Sequence, residues 1–395
     1  MTRPQSLWKN ILLFSGILFI ALNLRPAVTS ISPLAERMRL DGLSRETIGS
    51  MTTIPLILFS LAGLWAGWLG SRFGLARTLG SGLLIIGTGC YVRSLGETDA
   101  FFRIGGTILI GTGIALGNVL LPGLVKSRFP NHIGPMTSLY STGMNLGAAF
   151  GFAAAVPLAD FLAGGWNASL ASWGIFAGIT LLIWIPQMLP APARHSGASP
   201  LGGVIALARQ RRAWQVAIFM GLQSAVFYST VSWLPTLLQF RGMSEAGAAG
   251  WVTALQIAGC VASLVVPTLA GKSPSQSLWI TVCLLFNAAS IAGILFLPYS
   301  LVGIAVLTLG LGVNASFGMA LLLIALRSRD ARTAASLSSL AQAVGYLIAA
   351  PGPWMVGWLS ETAGGWPLAM GAVVIIALTA AIIGWFAGRS GELTI

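Results

Sequence analysis

Charged side chains are scarce in this sequence. Asp, Glu, Lys and Arg together make up 8% of its 395 residues, while 55% of the residues are hydrophobic. Soluble domains carry about 25% charged residues. A water-soluble fold has too little polar material here to cover so much apolar surface. The composition therefore excludes an ordinary soluble domain and indicates a protein whose main solvent is lipid.

Residues that support metal or acid–base chemistry are also few, with ten Asp and Glu, two His and three Cys. Cys90, Cys260 and Cys283 are scattered through apolar runs without the spacing of a metal site or a disulfide framework. A membrane enzyme would need a cluster of His, Cys, Asp or Glu at depth, and no apolar run contains one. We expect no catalytic residue, no metal, no cofactor, and no deep carboxylate that carries a proton.

The apolar runs are about 20 residues long and rich in glycine, which is long enough for helices to cross a hydrocarbon core about 30 Å thick. They do not alternate with period two, as barrel strands would. The sequence predicts an all-α polytopic membrane protein with twelve transmembrane helices. The approximate limits are 10–34, 47–69, 76–94, 103–125, 135–157, 167–189, 213–237, 247–270, 276–297, 301–326, 333–359 and 367–388.

The distribution of Lys and Arg predicts the orientation. With the N-terminus in the cytoplasm, the inner segments hold fifteen of them and the outer ends hold six. The positive-inside rule favours this arrangement, and an even number of spans returns the C-terminus to the cytoplasm. We expect a multi-pass protein of the bacterial cytoplasmic (inner) membrane, in contact with the lipid bilayer. The basic residues are spread over many short loops, so nucleic acid is not an expected partner.

The sequence also repeats itself with an offset close to 200 residues. AGGW occurs at 163–166 and again at 363–366, and the GLS of residues 42–44 returns as the GMS of residues 242–244. Small residues at every fourth position, which let helix backbones approach closely, occur in both halves: Gly143, Gly147 and Gly151, then Ala341, Gly345 and Ala349. We predict two parallel, pseudo-symmetric six-helix bundles, 1–190 and 213–395, joined by a cytoplasmic linker at 191–212.

Four stretches resemble a known family: ALNLRPAVTSISPL (21–34), GTGIALGNVLLPGLVKSRFP (111–130), WLPTLLQFRGMSEAGAAG (233–250) and LAQAVGYLIAAPGPWMVGWL (340–359). They are similar to the cyanate permease/2-nitroimidazole transporter branch of the major facilitator superfamily. The resemblance implies the major facilitator fold, secondary transport by alternating access, and a substrate cavity lined by spans one, four, seven and ten. Spans five, eight and eleven are expected beside that cavity.

Arg25 is a full positive charge inside the otherwise apolar first span. Insertion scales place a mid-helix arginine at about +2.5–3.5 kcal/mol, and no Asp or Glu lies deep in any span. Thr29 is one helical turn further on the same face, and Pro26 removes a backbone hydrogen bond and favours a bend. We interpret Arg25 as the counter-charge of a substrate. Two alternatives stay open, namely a structural tie to neighbouring helix carbonyls and a role in gating.

Uncharged polar residues also fall inside the spans. Such amides and phenols can coordinate a small polar solute weakly enough to release it, or they can link helix to helix at about 0.6 kcal/mol each. Together with Arg25 and Thr29, the predicted substrate-binding residues are Asn118, Tyr140, Gln223, Tyr228, Gln256, Asn314, Gln342 and Tyr346.

The sequence therefore predicts a secondary transporter, not an enzyme, that acts as a monomer on a small-molecule substrate. The predicted substrate is a small polar or anionic solute, either cyanate-like or a small organic anion. The alternative is an efflux carrier for 2-nitroimidazole-type drugs, which the GNVLLPGLVK stretch favours. The absence of a deep carboxylate leaves facilitated diffusion, exchange, or movement of a proton on the substrate itself.

Overall fold

The computed structural model describes residues 7–43, 45–95, 99–189, 201–361 and 364–394. In these ranges the backbone is almost entirely helical, with one isolated β-bridge between Ser328 and Leu393. The helices found there are α1 (Leu7–Asn23), α2 (Pro26–Thr29), α3 (Ile31–Leu40), α4 (Arg45–Phe73), α5 (Leu75–Ser94), α6 (Ala100–Arg128), α7 (Ile133–Phe161), α8 (Gly165–Met188), α9 (Gly202–Ala208), α10 (Arg211–Phe240), α11 (Glu245–Ala270), α12 (Ser277–Phe296), α13 (Tyr299–Leu326), α14 (Ala331–Ala349), α15 (Pro351–Ser360) and α16 (Gly365–Ala387).

Twelve segments in this part of the chain are long and apolar enough to cross a membrane, which confirms the predicted number. Ten of them are single helices. Span one, Leu12–Ala35, is made from α1, α2 and α3, and span eleven, Ala331–Ser360, is made from α14 and α15. The interruptions after α1 and after α14 lie directly before a proline, Pro26 or Pro351, which lacks the N–H that would continue the helix ladder. Between α2 and α3 only Ser30 is left out of the helices.

Several helices are longer than the apolar runs that predicted them. Span four was predicted at 103–125, whereas its helix covers Ala100–Arg128. Hydropathy falls where lipid ends, but the hydrogen bonds of the backbone continue into polar residues beyond that point. In the predicted linker, residues 191–200 lie outside the described ranges, and the remainder forms α9 and the start of α10.

The chain divides into two compact units. Unit 1 contains Met1–Leu124 and Gly143–Leu201. Its helices α5 and α8 pack along their length, and α1 also packs on α8. A cluster of buried apolar side chains, including Ile31, Met38 and Leu170, fills the space where α3, α4, α7 and α8 meet.

Unit 2 contains Val125–Thr142 and Gly202–Ile395. The first of these segments joins the end of α6 to the start of α7, and Thr268 Oγ1 of α11 donates a hydrogen bond to its Ser138 Oγ at 2.8 Å. The main helix pairs are α10 with α14, α11 with α13, and α12 with α16. Apolar residues such as Leu255 and Val306 form the core between them.

The repeated motifs of the two halves form the same backbone turns. Gly42 has a φ of 97° and Gly242 a φ of 90°, while Gly165 has 58° and Gly365 has 52°. Side-chain-bearing residues rarely adopt this left-handed region, so glycine is needed at each of these four positions. The 200-residue offset seen in the sequence therefore corresponds to equivalent corners of the two units.

Candidate functional site

Span one is interrupted near its middle, at Arg25 and Pro26. Helix α1 ends at Asn23, and Arg25 precedes α2 with φ −128° and ψ −39°. The Arg25 carbonyl accepts hydrogen bonds from the N–H groups of Val28 and Thr29, both at 3.0 Å. The partly exposed side chain of Arg25 therefore lies at a break in the helix, inside a segment long enough to cross lipid.

Helix α7 holds this break from one side. A Cβ on Gly147 would overlap with the carbonyl oxygen of Leu22, and a Cβ on Gly151 would lie 2.5 Å from Thr29 Oγ1. Thr29 Oγ1 itself donates to the carbonyl of Ala148 at 3.1 Å. The predicted stripe of small residues is thus the surface on which the broken span packs, and this part of the sequence analysis is confirmed.

Asn118 lies on α6 beside the same region. Its neighbour Gly117 faces Leu24, because a Cβ there would overlap with the Leu24 side chain. Asn118 is 4% exposed, and neither its amide nitrogen nor its amide oxygen has a hydrogen-bond partner in the described structure. Burying an unpaired amide costs about 1–3 kcal/mol, which makes Asn118 a candidate to bind a visiting polar group.

In unit 2 the predicted residues gather where α10 crosses α14. The two backbones come very close there, since a Cβ on Gly221 would lie 3.1 Å from the Cα of Gly345. Gln223 and Gln342 are both buried near this crossing. Each uses its amide nitrogen in a local hydrogen bond and leaves its amide oxygen without a partner among the described residues.

Two tyrosines follow on the same helix pair. The rings of Tyr228 and Tyr346 lie 6.2 Å apart between centroids at a tilt of 53°. Tyr346 is buried, while Tyr228 is partly exposed. The α10–α14 pair therefore presents two amides and two phenols in one region.

The remaining predicted residues lie elsewhere in unit 2. Asn314 on α13 donates to the carbonyl of Gly310 in its own helix at 3.0 Å and packs directly against Gly259 of α11. Gln256, also on α11, is partly exposed and leaves its amide oxygen unpaired in the described structure. Tyr140 is buried near the start of α7 with its hydroxyl likewise unpaired. The structure does not place these three on the α10–α14 pair.

Sequence reasoning missed two buried arginines in unit 1. Arg93 and Arg103 lie at the outer ends of the predicted spans 76–94 and 103–125, where an exposed cation is expected, yet on α5 and α6 their exposures are 1% and 0%. The sequence places Arg93 correctly on the helix. Burial against another helix, however, depends on tertiary packing that no local pattern reports.

Arg327, just after α13, shows what a structural arginine looks like in this protein. It is 4% exposed, and its Nη2 donates to Gln276 Oε1 at 2.5 Å and to the carbonyl of Gly388 at 2.7 Å. Burial, with a smaller contribution from nearby Arg212, lowers the pKa of Arg327 to about 10. The guanidinium therefore remains charged at neutral pH and ties helix ends together.

Comparison with known protein families identifies the class of protein. The sequence profile described as Major Facilitator Superfamily matches residues 11–353, so this chain belongs to that superfamily. It is a multi-pass inner-membrane protein and a transporter, not an enzyme. A crystal structure of the Escherichia coli fucose:proton symporter FucP shares the fold, with a TM-score of 0.78, 16% identity, and coverage of 96% of this chain and 99% of that one.

Two named relatives indicate which branch of the superfamily this chain resembles. The 2-nitroimidazole transporter of Escherichia coli (strain K12) is 37% identical over 385 residues, which is 97% of each protein. The cyanate transport protein CynX of the same organism is 25% identical over 351 residues, covering 88% of this chain and 90% of CynX. The resemblance to this branch, seen first in four short stretches, thus extends over nearly the whole chain.

Proposed function

We propose that this protein is a secondary transporter that moves a small polar or anionic solute by alternating access, with Arg25 as the substrate counter-charge. In this proposal it works as a monomer in the inner membrane with both termini in the cytoplasm. The bundles 1–190 and 213–395 are the moving parts, joined by the linker 191–212. The candidate substrates are cyanate-like ions and small organic anions.

The observation that supports this proposal is the position of Arg25 at the break of span one. A guanidinium in mid-span is costly to insert, at about 2.5–3.5 kcal/mol, and a bound anion would offset part of that cost. The sequence offers no acidic residue deep in a span: Asp160 is next to the end of α7, and Glu361 follows α15. An anionic substrate would therefore supply a charge that the spans lack.

Neutral polar groups would complete the site without holding the solute too tightly. Thr29 and Asn118 lie in the same region of unit 1 as Arg25, and the α10–α14 pair supplies Gln223, Tyr228, Gln342 and Tyr346 in unit 2. The less favourably placed Tyr140, Gln256 and Asn314 remain proposed contributors. A combination of one fixed charge with neutral amides and phenols suits a solute that must bind and then leave.

Export of 2-nitroimidazole-type drugs is the second candidate function, and the 37% identity to the 2-nitroimidazole transporter favours it. A nitro group presents two partly negative oxygens in one plane, as a carboxylate does, and a guanidinium can donate to both. The nitro group also withdraws electrons and makes the ring N–H acidic, so the compound can bind as an anion. Arg25 would serve either substrate.

Transport by purified protein in liposomes tests the role of Arg25. We expect Arg25→Met to raise the half-saturation concentration for labelled cyanate at least about tenfold, because one charge-assisted contact to the substrate is removed. Arg25→Lys should retain part of the affinity. Arg389→Met is the control, since Arg389 is exposed and stacks on Phe386 at 4.9 Å from the ring centroid. Wild-type transport by both Arg25 variants would remove Arg25 from the site.

Competition separates the two candidate substrates. We expect cyanate, benzoate or 2-nitroimidazole to inhibit uptake of the labelled substrate according to the affinity of each compound for the site. The compound 1-methyl-2-nitroimidazole has no ring N–H to lose, so its effect distinguishes binding of a neutral compound from binding of an anion. Strong inhibition by the methylated compound together with none by cyanate or benzoate would favour the drug carrier over the anion carrier.

A further inference from the structure

Arg93 makes a direct hydrogen bond to the break in span one. Its Nη1 donates to the carbonyl oxygen of Ala27 at 2.8 Å. Ala27 belongs to α2, the four-residue helix that begins immediately after Arg25. A buried, charge-assisted hydrogen bond of this kind is stronger than a neutral one. Arg93 therefore restrains the short helix that directly follows Arg25.

The end of α5 that carries Arg93 is itself fixed in place. Arg103 Nη1 donates to the Arg93 carbonyl and, at 2.8 Å, to Asn167 Oδ1. Asn167 Nδ2 donates in turn to the carbonyl of Ser94 at 2.9 Å, and the Arg103 guanidinium stacks over Trp166 at 4.7 Å from the ring centroid. A rigid base therefore stands behind the contact between Arg93 and Ala27.

The second half of the molecule provides an internal comparison. Where α5 crosses α6, a Cβ on Gly113 would lie 2.5 Å from the carbonyl of Gly82, and where α12 crosses α13, a Cβ on Gly312 would lie 3.0 Å from the carbonyl of Cys283. Arg93 lies eleven residues after Gly82 on α5, and Ile294 lies eleven residues after Cys283 on α12, so Ile294 is the counterpart of Arg93. Ile294 is fully buried and apolar.

In both units an arginine donates to the backbone carbonyl at this position, although the arginine comes from α6 in unit 1 and from the end of α10 in unit 2. The Arg93 carbonyl accepts from Arg103 in unit 1, and the Ile294 carbonyl accepts from Arg241 Nη1 at 2.7 Å in unit 2. An arginine on the helix-end carbonyl is therefore common to both units. The arginine side chain at position 93 is an addition that the fold does not require.

The two units differ in one more respect at this place. Span one is broken at Arg25, whereas span seven is one uninterrupted helix, α10. Unit 1, in which span one is broken, has Arg93, and unit 2, in which the corresponding span seven is continuous, has isoleucine at the equivalent position. At this pair of equivalent positions, the arginine therefore occurs beside the broken span.

We propose that Arg93 is a positioning residue, which holds the break of span one so that Arg25 is presented to an anionic substrate. This inference rests on the proposed function. Two further donors of Arg93, Nε and Nη2, are buried without a hydrogen-bond partner in the part of the chain that the structure describes. The side chain thus keeps a cation in the interior of unit 1 despite unmet hydrogen bonds, as a fixed charge serving a site would.

Amide hydrogen exchange tests the structural link without any substrate. In Arg93→Met, exchange in the segment 24–31 should rise several-fold, because the N–H groups of Val28, Thr29 and Ser30 are bonded within the restrained turn. The matched control is Arg241→Met, which also loses an arginine bonded to helix-end carbonyls but lies in unit 2. Unchanged exchange in Arg93→Met, or the same rise in Arg241→Met, would overturn the proposal.

Transport kinetics test the functional consequence with cyanate as the probe. Arg93→Met should raise the half-saturation concentration by about tenfold while the maximal rate per folded protein changes little, since a buried charged hydrogen bond affects placement of the site. Arg93→Lys, which keeps a charge and a donor, should recover most of the affinity. Equal half-saturation in wild type and Arg93→Met would refute the positioning role. If instead the exchange result holds but Arg25→Met transports normally, the proposed function fails and the Arg93 link to the break stands.

Discussion

Asn118 buries an amide whose nitrogen and oxygen both lack partners in the described structure. A side chain kept in such a state costs stability, and function is the usual reason for keeping it. Asn314 differs, because its amide nitrogen is bonded within its own helix. The two asparagines, placed together in the sequence analysis, are therefore separated by the structure into one group open to a ligand and one engaged in packing.

Replacing Asn118 with leucine tests this distinction. We expect Asn118→Leu to unfold at the same or a higher temperature, because about 1–3 kcal/mol of unmet hydrogen bonding is removed, and to lose most transport activity. The control is Asn287→Leu, since Asn287 donates to Ser316 Oγ at 3.1 Å in the other unit and its loss should lower stability while leaving affinity intact. A less stable Asn118→Leu protein with normal affinity would identify Asn118 as structural.

At the scale of elements, the contact between span one and α7 decides where the chain can bend. The carbonyl of Leu22 fits against Gly147 because this residue has no side chain. The packing of α7 on both sides of the break leaves a defined geometry there instead of a flexible joint.

A single methyl group should disturb this contact. We expect Gly147→Ala to destabilise the protein by about 1–3 kcal/mol, as overpacking does, measured as a lower unfolding temperature. Gly178→Ala on α8 is the matched control, since a Cβ there meets nothing within 4 Å and should leave stability unchanged or slightly higher. Equal stability of the two variants would show that the helices can move apart without cost.

The sequence predicted the elements and a bend at Pro26, but not the break before Pro351. Apolar runs predicted the twelve spans, and four-residue spacing predicted the α7 stripe, because both are local properties of helices. Proline alone could not locate the interruptions, since only Pro26 and Pro351 begin new helices while other prolines lie inside continuous ones. The prolines inside continuous helices are Pro55, Pro122, Pro157, Pro186, Pro235 and Pro267. For Pro26, the packing of Gly147 and Gly151 of α7 and the hydrogen bond from Arg93 supply distant contacts at the break.

For the candidate site, too, some features could be predicted from the sequence and others could not. Residue type and helical face were enough to select Arg25 and its neighbours, and the pair of glutamines in unit 2 could be chosen as polar residues in apolar spans. The unpaired amide of Asn118 could not be predicted, because it depends on which side chains the neighbouring helices place beside it. The burial of Arg93 was missed for the same reason.

At the scale of the whole molecule, the lack of an acidic group in mid-span bears on energy coupling. The described acidic residues lie outside the twelve spans or, in the case of Asp160, next to a span end, where Asp160 pairs with Arg37 at 2.6 Å between exposed side chains. In the part of the chain that the structure covers, no carboxylate is therefore placed in mid-span to take up a proton and release it during the cycle.

We expect transport of a monovalent anion to continue when the proton gradient is abolished. Uptake of labelled cyanate into liposomes should run down its own gradient in the presence of a protonophore, at a rate within about twofold of that without it. Exchange against unlabelled cyanate provides the control for intact vesicles. Strict dependence on an imposed pH gradient, for a solute that cannot itself be protonated, would contradict this expectation.

The correspondence between Arg93 and Ile294 also has an evolutionary reading. Two halves that share their corner glycines at an offset of 200 residues point to an ancestral gene that was copied and fused. The C-terminal copy has isoleucine at position 294 and an unbroken span seven. The N-terminal copy has Arg93 and a break in span one, whereas the C-terminal copy has its own break in span eleven, so after duplication the two halves specialised at different helices.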